Sequence, residues 1–193
     1  MIGSHNSFTY SKPDKWWGKL LAPWAKCQNL TIQEQYRIGV RYFDLRVAFD
    51  KSYNLRLVHN CVNFPSKDLY NNLEWLNQQS NIYLRIILDM RKEPKDEAIK
   101  QQLLVYFQNF CNFMKGYDNI TIDKIIIGWN WEYTYDSGIR VIEWHSSVCT
   151  KWYEYIRGTQ CWAELHNSWL YSNMPEIIAN DKEVVLLDYV EYG

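Results

Sequence analysis

Histidines, arginines and carboxylates recur in this chain at or near the ends of short apolar stretches. His5 lies in the run GSHNSFTY near the start, and His59 ends the stretch LRLVH. The stretches VRYFDLR, IILDMRKE and VVLLD carry the other members of the set, which are Asp44, Arg46, Asp89, Arg91, Glu93 and Asp188. A single charge at such a position is usually solvated, so the recurrence indicates a site more strongly than any one member.

These residue types suit a displacement at phosphorus in a phosphodiester. One histidine can accept a proton as a general base while another donates one as a general acid. An arginine fork can neutralise the charge that grows on the phosphate oxygens. A carboxylate behind one histidine fixes its tautomer and stabilises the imidazolium. Such an arrangement requires no metal ion.

The stretches that carry these residues are predicted strands, and predicted helices alternate with them. VRYFDLRVAF, NLRLVH, IYLRIILDM, DKIIIGWNW and KEVVLLDYV have the apolar or alternating pattern of strands. Helices are predicted at TIQEQYRIG, which begins with a Thr31–Glu34 capping box, and at SKDLYNNLEWLNQQ, behind a cap at Ser66. A longer helix is predicted at EPKDEAIKQQLLVYFQNFCNFMKGY. From EYTYDSG to YSNMPEIIAN the pattern predicts aromatic-rich loops and short helices.

Strands that alternate with helices predict an α/β fold with a parallel sheet. The chain has neither a G-x-G-x-x-G run nor a P-loop, which favours a barrel over a doubly wound nucleotide-binding sheet. We therefore expect a TIM-like (β/α) barrel, either regular or with an irregular or incomplete sheet. With no linker or internal repeat visible, residues 1–193 form one predicted domain. Active sites of such barrels lie at the carboxyl ends of the strands, where the polar set falls.

Composition excludes several classes of function. The formal net charge of −1 gives no overall positive field, so we expect no nucleic-acid partner. The five cysteines include no C-x-x-C pair, which argues against a zinc knuckle or a redox motif. No apolar run approaches the roughly 20 residues that cross a bilayer, and no signal-peptide pattern begins the chain. Ten tryptophans and fifteen tyrosines suit a ligand cleft, a membrane interface or ordinary core packing.

The motifs GSHNSFTY, IGVRYFDLRV and LRLVHN, in this order and spacing, resemble the X domain of phosphatidylinositol-specific phospholipase C. The bacterial, metal-independent enzymes of that family are the most similar type. VVLLDYV resembles their last barrel strand, so the resemblance covers the whole chain and is strongest in its first third.

The resemblance implies a role for each matched residue. His5 would be the general base on the inositol 2-hydroxyl, and Asp188 would orient it. His59 would be the general acid for the leaving diacylglycerol oxygen. Arg46 would clamp the phosphate, and Asp44 would support it. The reaction implied is the metal-independent cleavage of phosphatidylinositol or a related (glyco)phospholipid to a cyclic inositol phosphate and diacylglycerol.

The resemblance also implies substrate contacts and the absence of a cofactor. Asn6 stands where the bacterial enzymes carry an aspartate, and Arg91 and Glu93 match positions that contact the inositol ring. The eukaryotic relatives hold Ca²⁺ with carboxylates where this chain has Arg46 and Arg91. A guanidinium can replace the charge of the ion but cannot ligate it, so we expect neither a metal site nor another cofactor.

The segment WWGKLLAPW combines tryptophan, lysine and leucine, which suits either core packing or the headgroup boundary of a membrane. Trp24 resembles a membrane-contacting tryptophan of the bacterial enzymes, and with Trp16 and Trp17 it forms the predicted membrane contact. We expect a monomer that acts on phospholipid at a peripheral membrane surface, in a secreted or membrane-associated location. A non-catalytic lipid- or inositol-phosphate-binding module on the same fold remains the alternative. His145 and His166 lie outside the matched motifs and are interpreted as surface or core residues.

Overall fold

The computed structural model describes residues 1–90, 92–149, 151–177 and 182–192. The strands are β1 (Ile2–Ser4), β2 (Tyr42–Phe49), β3 (Leu55–His59), β4 (Val62–Phe64), β5 (Ile82–Leu88), β6 (Ile120–Ile127), β7 (Glu132–Asp136), β8 (Arg140–Trp144) and β9 (Glu183–Leu187). The helices are α1 (Trp16–Ala25), α2 (Ile32–Arg37), α3 (Leu69–Asn77), α4 (Glu97–Met114), α5 (Ser146–Cys149), α6 (Trp152–Tyr155) and α7 (Thr159–Ile177), and a 3₁₀ turn follows at Val190–Tyr192.

The main sheet has the strand order β7-β6-β5-β2-β1-β9-β8, and every neighbouring pair except β6 and β7 is parallel. An antiparallel hairpin, β3 and β4, extends from β2. Arg85 on β5 forms an ion pair of 2.6 Å with Glu143 on β8, four strands away in this order. Such a contact requires the sheet to curl around its interior. The predicted α/β fold with an incomplete barrel is confirmed.

Side chains of alternate residues fill the interior and the outer layer of the sheet. On β2, Phe43, Leu45 and Val47 belong to the main apolar core. The side chain of Tyr42 lies on the opposite face of β2 and packs with Val184 and Leu186 in a second apolar cluster, which fills the interior of the curled sheet. The interior is therefore packed by side chains near the amino ends of the strands, and the charged side chains of the following layer lie above it.

Gly3 on β1 is required by this interior packing. A Cβ atom there would lie 2.8 Å from Cδ2 of Leu186 and 2.9 Å from Cγ2 of Val184. Strand β1 pairs with β2 on one side and with β9 on the other, so it has little freedom to move away. Because glycine has no side chain, Leu186 and Val184 can pack directly against the backbone of β1 at this position.

The predicted helix start is confirmed for α2 and shifted by a few residues for α3 and α4. The Thr31 hydroxyl accepts from the backbone N–H of Glu34, whose carboxylate accepts from the N–H of Thr31, which completes the capping box of α2. The Asp96 carboxylate caps α4 by accepting from Ala98 and Ile99. Helix α3 begins at Leu69 after Asp68, not directly behind Ser66.

The segment that was predicted as loops and short helices is more regular than its sequence pattern suggests. It contains strands β7 and β8 and the 19-residue helix α7, as well as the short helices α5 and α6. All five residues of β7 are exposed, so this edge strand has no buried face, although Tyr133 and Tyr135 alternate with polar residues. Helix α7 has no strong apolar stripe, which is why periodicity did not reveal it.

The described part of the chain contains no helix that is both long enough and apolar enough to span a membrane. Among the described residues, Cys27, Cys61, Cys111 and Cys161 have free thiols.

Candidate active site

The curled sheet brings the predicted catalytic residues together at the carboxyl ends of its strands. His5 follows β1, Asp44 and Arg46 belong to β2, and Asp188 follows β9. His59 ends β3, which the hairpin folds back beside the same end of β2. All five are less than one tenth exposed. The sequence prediction that these side chains share one site therefore agrees with their positions.

His5 is held between an anion and a cation. Its Nδ1 atom lies 2.7 Å from Oδ1 of Asp188, and its Nε2 atom lies 2.7 Å from Nη2 of Arg46. A guanidinium can only donate, so Nε2 accepts and the ring proton sits on Nδ1, toward Asp188. Burial, together with the nearby His145 and Arg46, holds the pKa of His5 well below its usual range. His5 is thus neutral, with its basic nitrogen directed toward Arg46.

Asp188 and Asp44 are each held by several donors. The other oxygen of Asp188 accepts from the backbone N–H and the hydroxyl of Ser146 at 3.1 and 3.2 Å. Asp44 accepts from Nε of Arg46 at 3.0 Å and from Nε of Arg85 at 2.8 Å. Burial acts to raise the pKa of Asp44, but Arg85 and Arg46 outweigh it and hold the pKa well below its usual value. Asp44 is therefore an anion that fixes Arg46.

His59 has a different environment from His5. Its Nδ1 atom lies 2.9 Å from the carbonyl oxygen of Ala25 and donates to it, so Nε2 of the neutral ring carries the lone pair. The thiol sulfur of Cys27 lies 3.3 Å from the same Nδ1. Burial, with Arg46 nearby, lowers the pKa of His59 to about 4. The rings of His5 and His59 meet edge to face, with centroids 5.4 Å apart.

The structure adds three residues that the sequence analysis left out of the site. The imidazole of His145, just after β8, stacks on that of His5 with centroids 3.8 Å apart and planes within 5°. Nε2 of His145 lies 2.7 Å from Glu143, and the other oxygen of Glu143 pairs with Arg85. From the sequence, His145 is interpreted as a surface or core residue; it is buried, and its imidazole lies against His5 of the cluster.

A weak signal for these residues is present in the sequence. Arg85 is a lone charge inside the apolar stretch IYLRIIL, and a charge is seldom buried without a partner. Glu143 and His145 are alternate residues, so they share one face of β8 and its extension. The stretch RVIEWH was not recognised as a strand, and the two side chains therefore could not be assigned to the interior.

The predicted substrate-binding residues lie in three different situations. Asn6 is buried, its backbone N–H donates to Asp44 and its side-chain amide donates to the carbonyl oxygen of Val58. Glu93 is exposed and pairs with Lys100 at 2.6 Å. Arg91 lies outside the described residues. The structure leaves their predicted role with substrate untested.

Asp89 is a further carboxylate beside this cluster. One of its oxygens lies 3.6 Å from Nη1 of Arg46 and accepts from the backbone N–H of Asn60 at 3.3 Å. Burial raises the pKa of Asp89, although Arg46 partly opposes that effect. Its side chain is 13% exposed, more than that of Arg46 or Asp44. Asp89 therefore lies at the more open side of the cluster.

The three predicted membrane-contacting tryptophans differ in exposure. Trp16 is 74% exposed, whereas Trp17 is half-buried and packs against the main core. Trp24 is also half-buried. The sequence did not identify Trp152 of α6, which is 78% exposed.

Among the described residues, donor atoms of His5, His145 and Asp188 lie within 4.8 Å of one another. Imidazole binds a metal ion in its own plane, at about 2.0–2.1 Å for zinc. Two parallel rings 3.8 Å apart cannot both direct an in-plane lone pair to one ion. The basic nitrogen of His5 also already accepts from Arg46. The stacked arrangement therefore does not fit a metal centre.

The site thus consists of acid–base side chains and arginines at the carboxyl end of a curled α/β sheet. No family model matches the chain. Over an alignment of 69 residues the chain is 44% identical to a PI-PLC X-box domain-containing protein of Dictyostelium discoideum, and the match covers 30% of this chain and 9% of that protein. The human PI-PLC X domain-containing protein 2 is 39% identical over an alignment of 64 residues, and the match covers 24% of this chain and 21% of the human protein.

Two solved structures have the same fold over the whole chain. A mutant of phosphatidylinositol-specific phospholipase C from Staphylococcus aureus gives a TM-score of 0.63 at 13% identity and is covered over 87% of its length. The phosphatidylinositol-specific phospholipase C of Listeria monocytogenes gives 0.59 at 12% identity and is covered over 90%. The likeness to the X domain of phosphatidylinositol-specific phospholipase C that the sequence predicts is confirmed.

Proposed function

We propose that this chain cleaves the phosphodiester of phosphatidylinositol or a related (glyco)phospholipid without a metal ion. One observation carries the proposal. The buried rings of His5 and His59 have centroids 5.4 Å apart. Each ring is fixed through Nδ1, that of His5 by a carboxylate and that of His59 by a backbone carbonyl. A phosphate-binding module needs a cation such as Arg46 but has no need of two oriented imidazoles.

In this reaction the 2-hydroxyl oxygen of inositol attacks phosphorus, and the bond from phosphorus to the glycerol oxygen breaks. The hydroxyl proton goes to Nε2 of His5. The proton on Nε2 of His59 goes to the leaving diacylglycerol oxygen. The product is a cyclic inositol phosphodiester, because the nucleophile belongs to the substrate.

Arg46 and the carboxylates support these steps. Nη2 of Arg46 occupies the lone pair of His5 in the free protein. A bound phosphate competes for that N–H group, which frees Nε2 of His5 to accept a proton when substrate is present. Asp188 stabilises the imidazolium that forms on His5, and Asp44 keeps Arg46 in place. Because the pKa of His59 is about 4, its acid form depends on the added phosphate charge, which raises that pKa.

To test this proposal, the protein is incubated with phosphatidylinositol in the presence of a chelator, and the formation of cyclic inositol phosphate is followed by ³¹P NMR. His5→Ala and His59→Ala should each lower the rate by about two to four orders of magnitude. Arg46→Lys should also lose most of the activity, because an ammonium group cannot make the planar two-point contact with phosphate. His166→Ala is the matched control, since His166 is half-buried and outside the cluster.

Two results would contradict the proposal. Inositol-lipid binding without turnover by the parent protein would favour the non-catalytic module. A chelator that abolishes cleavage would exclude the metal-free reaction.

A further inference from the structure

A polar cavity lies outside the cluster of the candidate active site, between α1 and the start of α7. Its volume is about 510 Å³, and Lys19, Pro23 and Lys26 line it from one side while Arg157 and Gln160 line it from the other. Tyr189, the neighbour of Asp188 in the chain, also borders it. None of its lining side chains belongs to the cluster of His5, Arg46 and His59. The cavity is therefore a separate site.

The charges around this cavity are mainly positive. Lys19, Lys26 and Arg157 face a single lining carboxylate, Glu164, which accepts from Gln160 at 3.0 Å. Lys19 and Arg157 are exposed and form no ion pair with a carboxylate in the described part of the chain. Nζ of Lys26 donates to the side chain of Asn29. Two of the three cations thus remain available to an anion.

The wall formed by α7 adds to this positive character. Gln160 and Cys161, in the first turn of the 19-residue helix, line the cavity. The first turn of a helix carries unpaired N–H groups and a partial positive charge, both of which favour an anion. The helix end and the lysines of α1 therefore act on the same space.

The two walls are held together by part-buried hydrogen bonds and by a close backbone approach. The Thr159 hydroxyl contacts the carbonyl oxygens of Lys26 at 2.6 Å and Pro23 at 3.2 Å. Gly158 has a φ angle of +86°, and a Cβ there would lie 2.4 Å from the carbonyl oxygen of Pro23. Only glycine permits this close approach. The cavity is therefore built by the fold and does not depend on chance positions of surface side chains.

Exposed apolar side chains lie on the elements that border the cavity. Trp16 and Leu20 on α1 are 74% and 66% exposed. Trp152, Tyr153 and Ile156, just before α7, are 78%, 50% and 62% exposed. Tryptophan, tyrosine and aliphatic side chains beside basic residues suit the headgroup boundary of a bilayer. This surrounding selects a lipid as the source of the anion.

We propose that this cavity binds the phosphate of an anionic phospholipid headgroup, separately from the reaction at the barrel. Lys19 and Arg157 would contact the phosphate oxygens, and the exposed apolar side chains would enter the interface on either side. The proposal does not depend on cleavage by the chain.

The test measures cosedimentation with vesicles of phosphatidylcholine that contain phosphatidylglycerol, an anionic lipid without inositol. The variant is Lys19→Gln with Arg157→Gln. The control is Arg37→Gln with Lys115→Gln, which removes the same charge from exposed residues at the opposite ends of the strands. The first variant should bind about 10- to 30-fold more weakly, as expected for two basic residues at an anionic surface. The control should lose less than about threefold, because its charges lie away from the membrane.

Three outcomes would overturn the proposal. Equal losses for both variants would indicate a diffuse charge effect with no discrete site. Equally tight binding of the parent to pure phosphatidylcholine vesicles would remove the role of the anion. Binding of inorganic phosphate as tight as binding to the vesicles, measured by calorimetry and lost in the same variant, would assign the cavity to a soluble phosphate. Lys19→Arg keeps the positive charge and should therefore retain binding. The thermal midpoint of each variant shows whether a loss of binding comes from a loss of folding.

Discussion

Arg46 contacts three side chains of the cluster before any substrate is present. It donates to His5 and Asp44 and lies 3.6 Å from Asp89, so its guanidinium plane is fixed in advance. Preorganised charge costs no rearrangement when a phosphate arrives, which is the property a catalytic cation needs. In the free protein the same arrangement covers the basic nitrogen of His5 with Nη2 of Arg46.

His59 should make folding stability depend on pH. Its pKa is about 4 in the folded protein and about 6.5 in the unfolded chain, so the unfolded state binds a proton first as the pH falls. Above pH 6.5 His59 is neutral in both states, and the folded protein loses no stability through it. As the pH falls from 6.5 toward 4, protonation of His59 in the unfolded chain lowers the free energy of unfolding. Between pH 7 and 5 the loss from His59 alone is about 2 kcal/mol.

Urea unfolding at both pH values checks this prediction. His59→Gln should show a smaller loss of stability between pH 7 and 5 than the parent, by about that amount. His166→Gln, outside the cluster, is the control. An unchanged difference in His59→Gln would mean that the folded pKa of His59 is close to normal.

Arg85 should be essential for stability. It is 2% exposed and joins Asp44 on β2 to Glu143 on β8, so Arg85→Met leaves two carboxylates without their main cation. Loss of one partner of a buried pair costs about 3–5 kcal/mol. Arg56→Met is the control, because Arg56 and Asp50 are 39% and 29% exposed and such pairs contribute about 0–1 kcal/mol. Chemical denaturation of both variants tests the difference, and similar values would contradict it.

At the scale of elements, short β1 is the strand on which the barrel interior depends. It has three residues, yet it pairs with β2 and β9 and directs His5 into the site. Its position is set by the large side chains that pass over Gly3 and by the pairing on both sides. A strand of this length has no independent stability and is held by its neighbours.

Gly3→Ala should lower the free energy of unfolding by about 1–3 kcal/mol, because the added methyl group overpacks the interior against Leu186 and Val184. The double variant Gly3→Ala with Leu186→Ala should lose less than the sum of the two single losses, since the second change makes room for the first. Thermal and urea unfolding of the three variants measures this coupling. Additive losses would show that Leu186 does not oppose the methyl group.

For the whole molecule, the main features at the carboxyl ends of the strands are the buried cluster, the cationic cavity and the exposed aromatic side chains. Helix α1 follows β1, and α5 and α6 follow β8, so their exposed tryptophans share the end of the sheet that holds the site. The cluster, the cavity and the exposed tryptophans therefore lie toward the same end of the sheet.

Trp16→Ala with Trp152→Ala should weaken vesicle binding by about 2–4 kcal/mol through lost apolar burial. Both rings are exposed, so the thermal midpoint and the cleavage of a soluble monomeric substrate should hardly change. Trp17→Ala is the contrast, because Trp17 packs against the core and its loss should lower the midpoint. Unchanged vesicle binding in the double variant would exclude these two rings from the membrane contact.

Local patterns in the sequence were enough to predict β2, β5 and β9 and the polar residues at their ends. Apolar alternation and a capping box such as Thr31–Glu34 act over a few residues, so they can be identified without the rest of the chain. The class of fold followed from the alternation of strands and helices. The predicted pairing of His5 with Asp188 came only from the family resemblance, since 183 residues separate them.

Tertiary structure alone decided which other side chains join the cluster and which tryptophans reach solvent. Glu143 and Arg85 meet because the sheet curls until β8 faces β5, a contact between residues 58 positions apart. His145 stacks on His5 because β8 pairs with β9, which pairs with β1. Trp16 and Trp17 are neighbours in sequence, yet only the packing of α1 determined which of them lies against the core. Such long-range contacts depend on the positions of whole elements, and no local pattern contains that information.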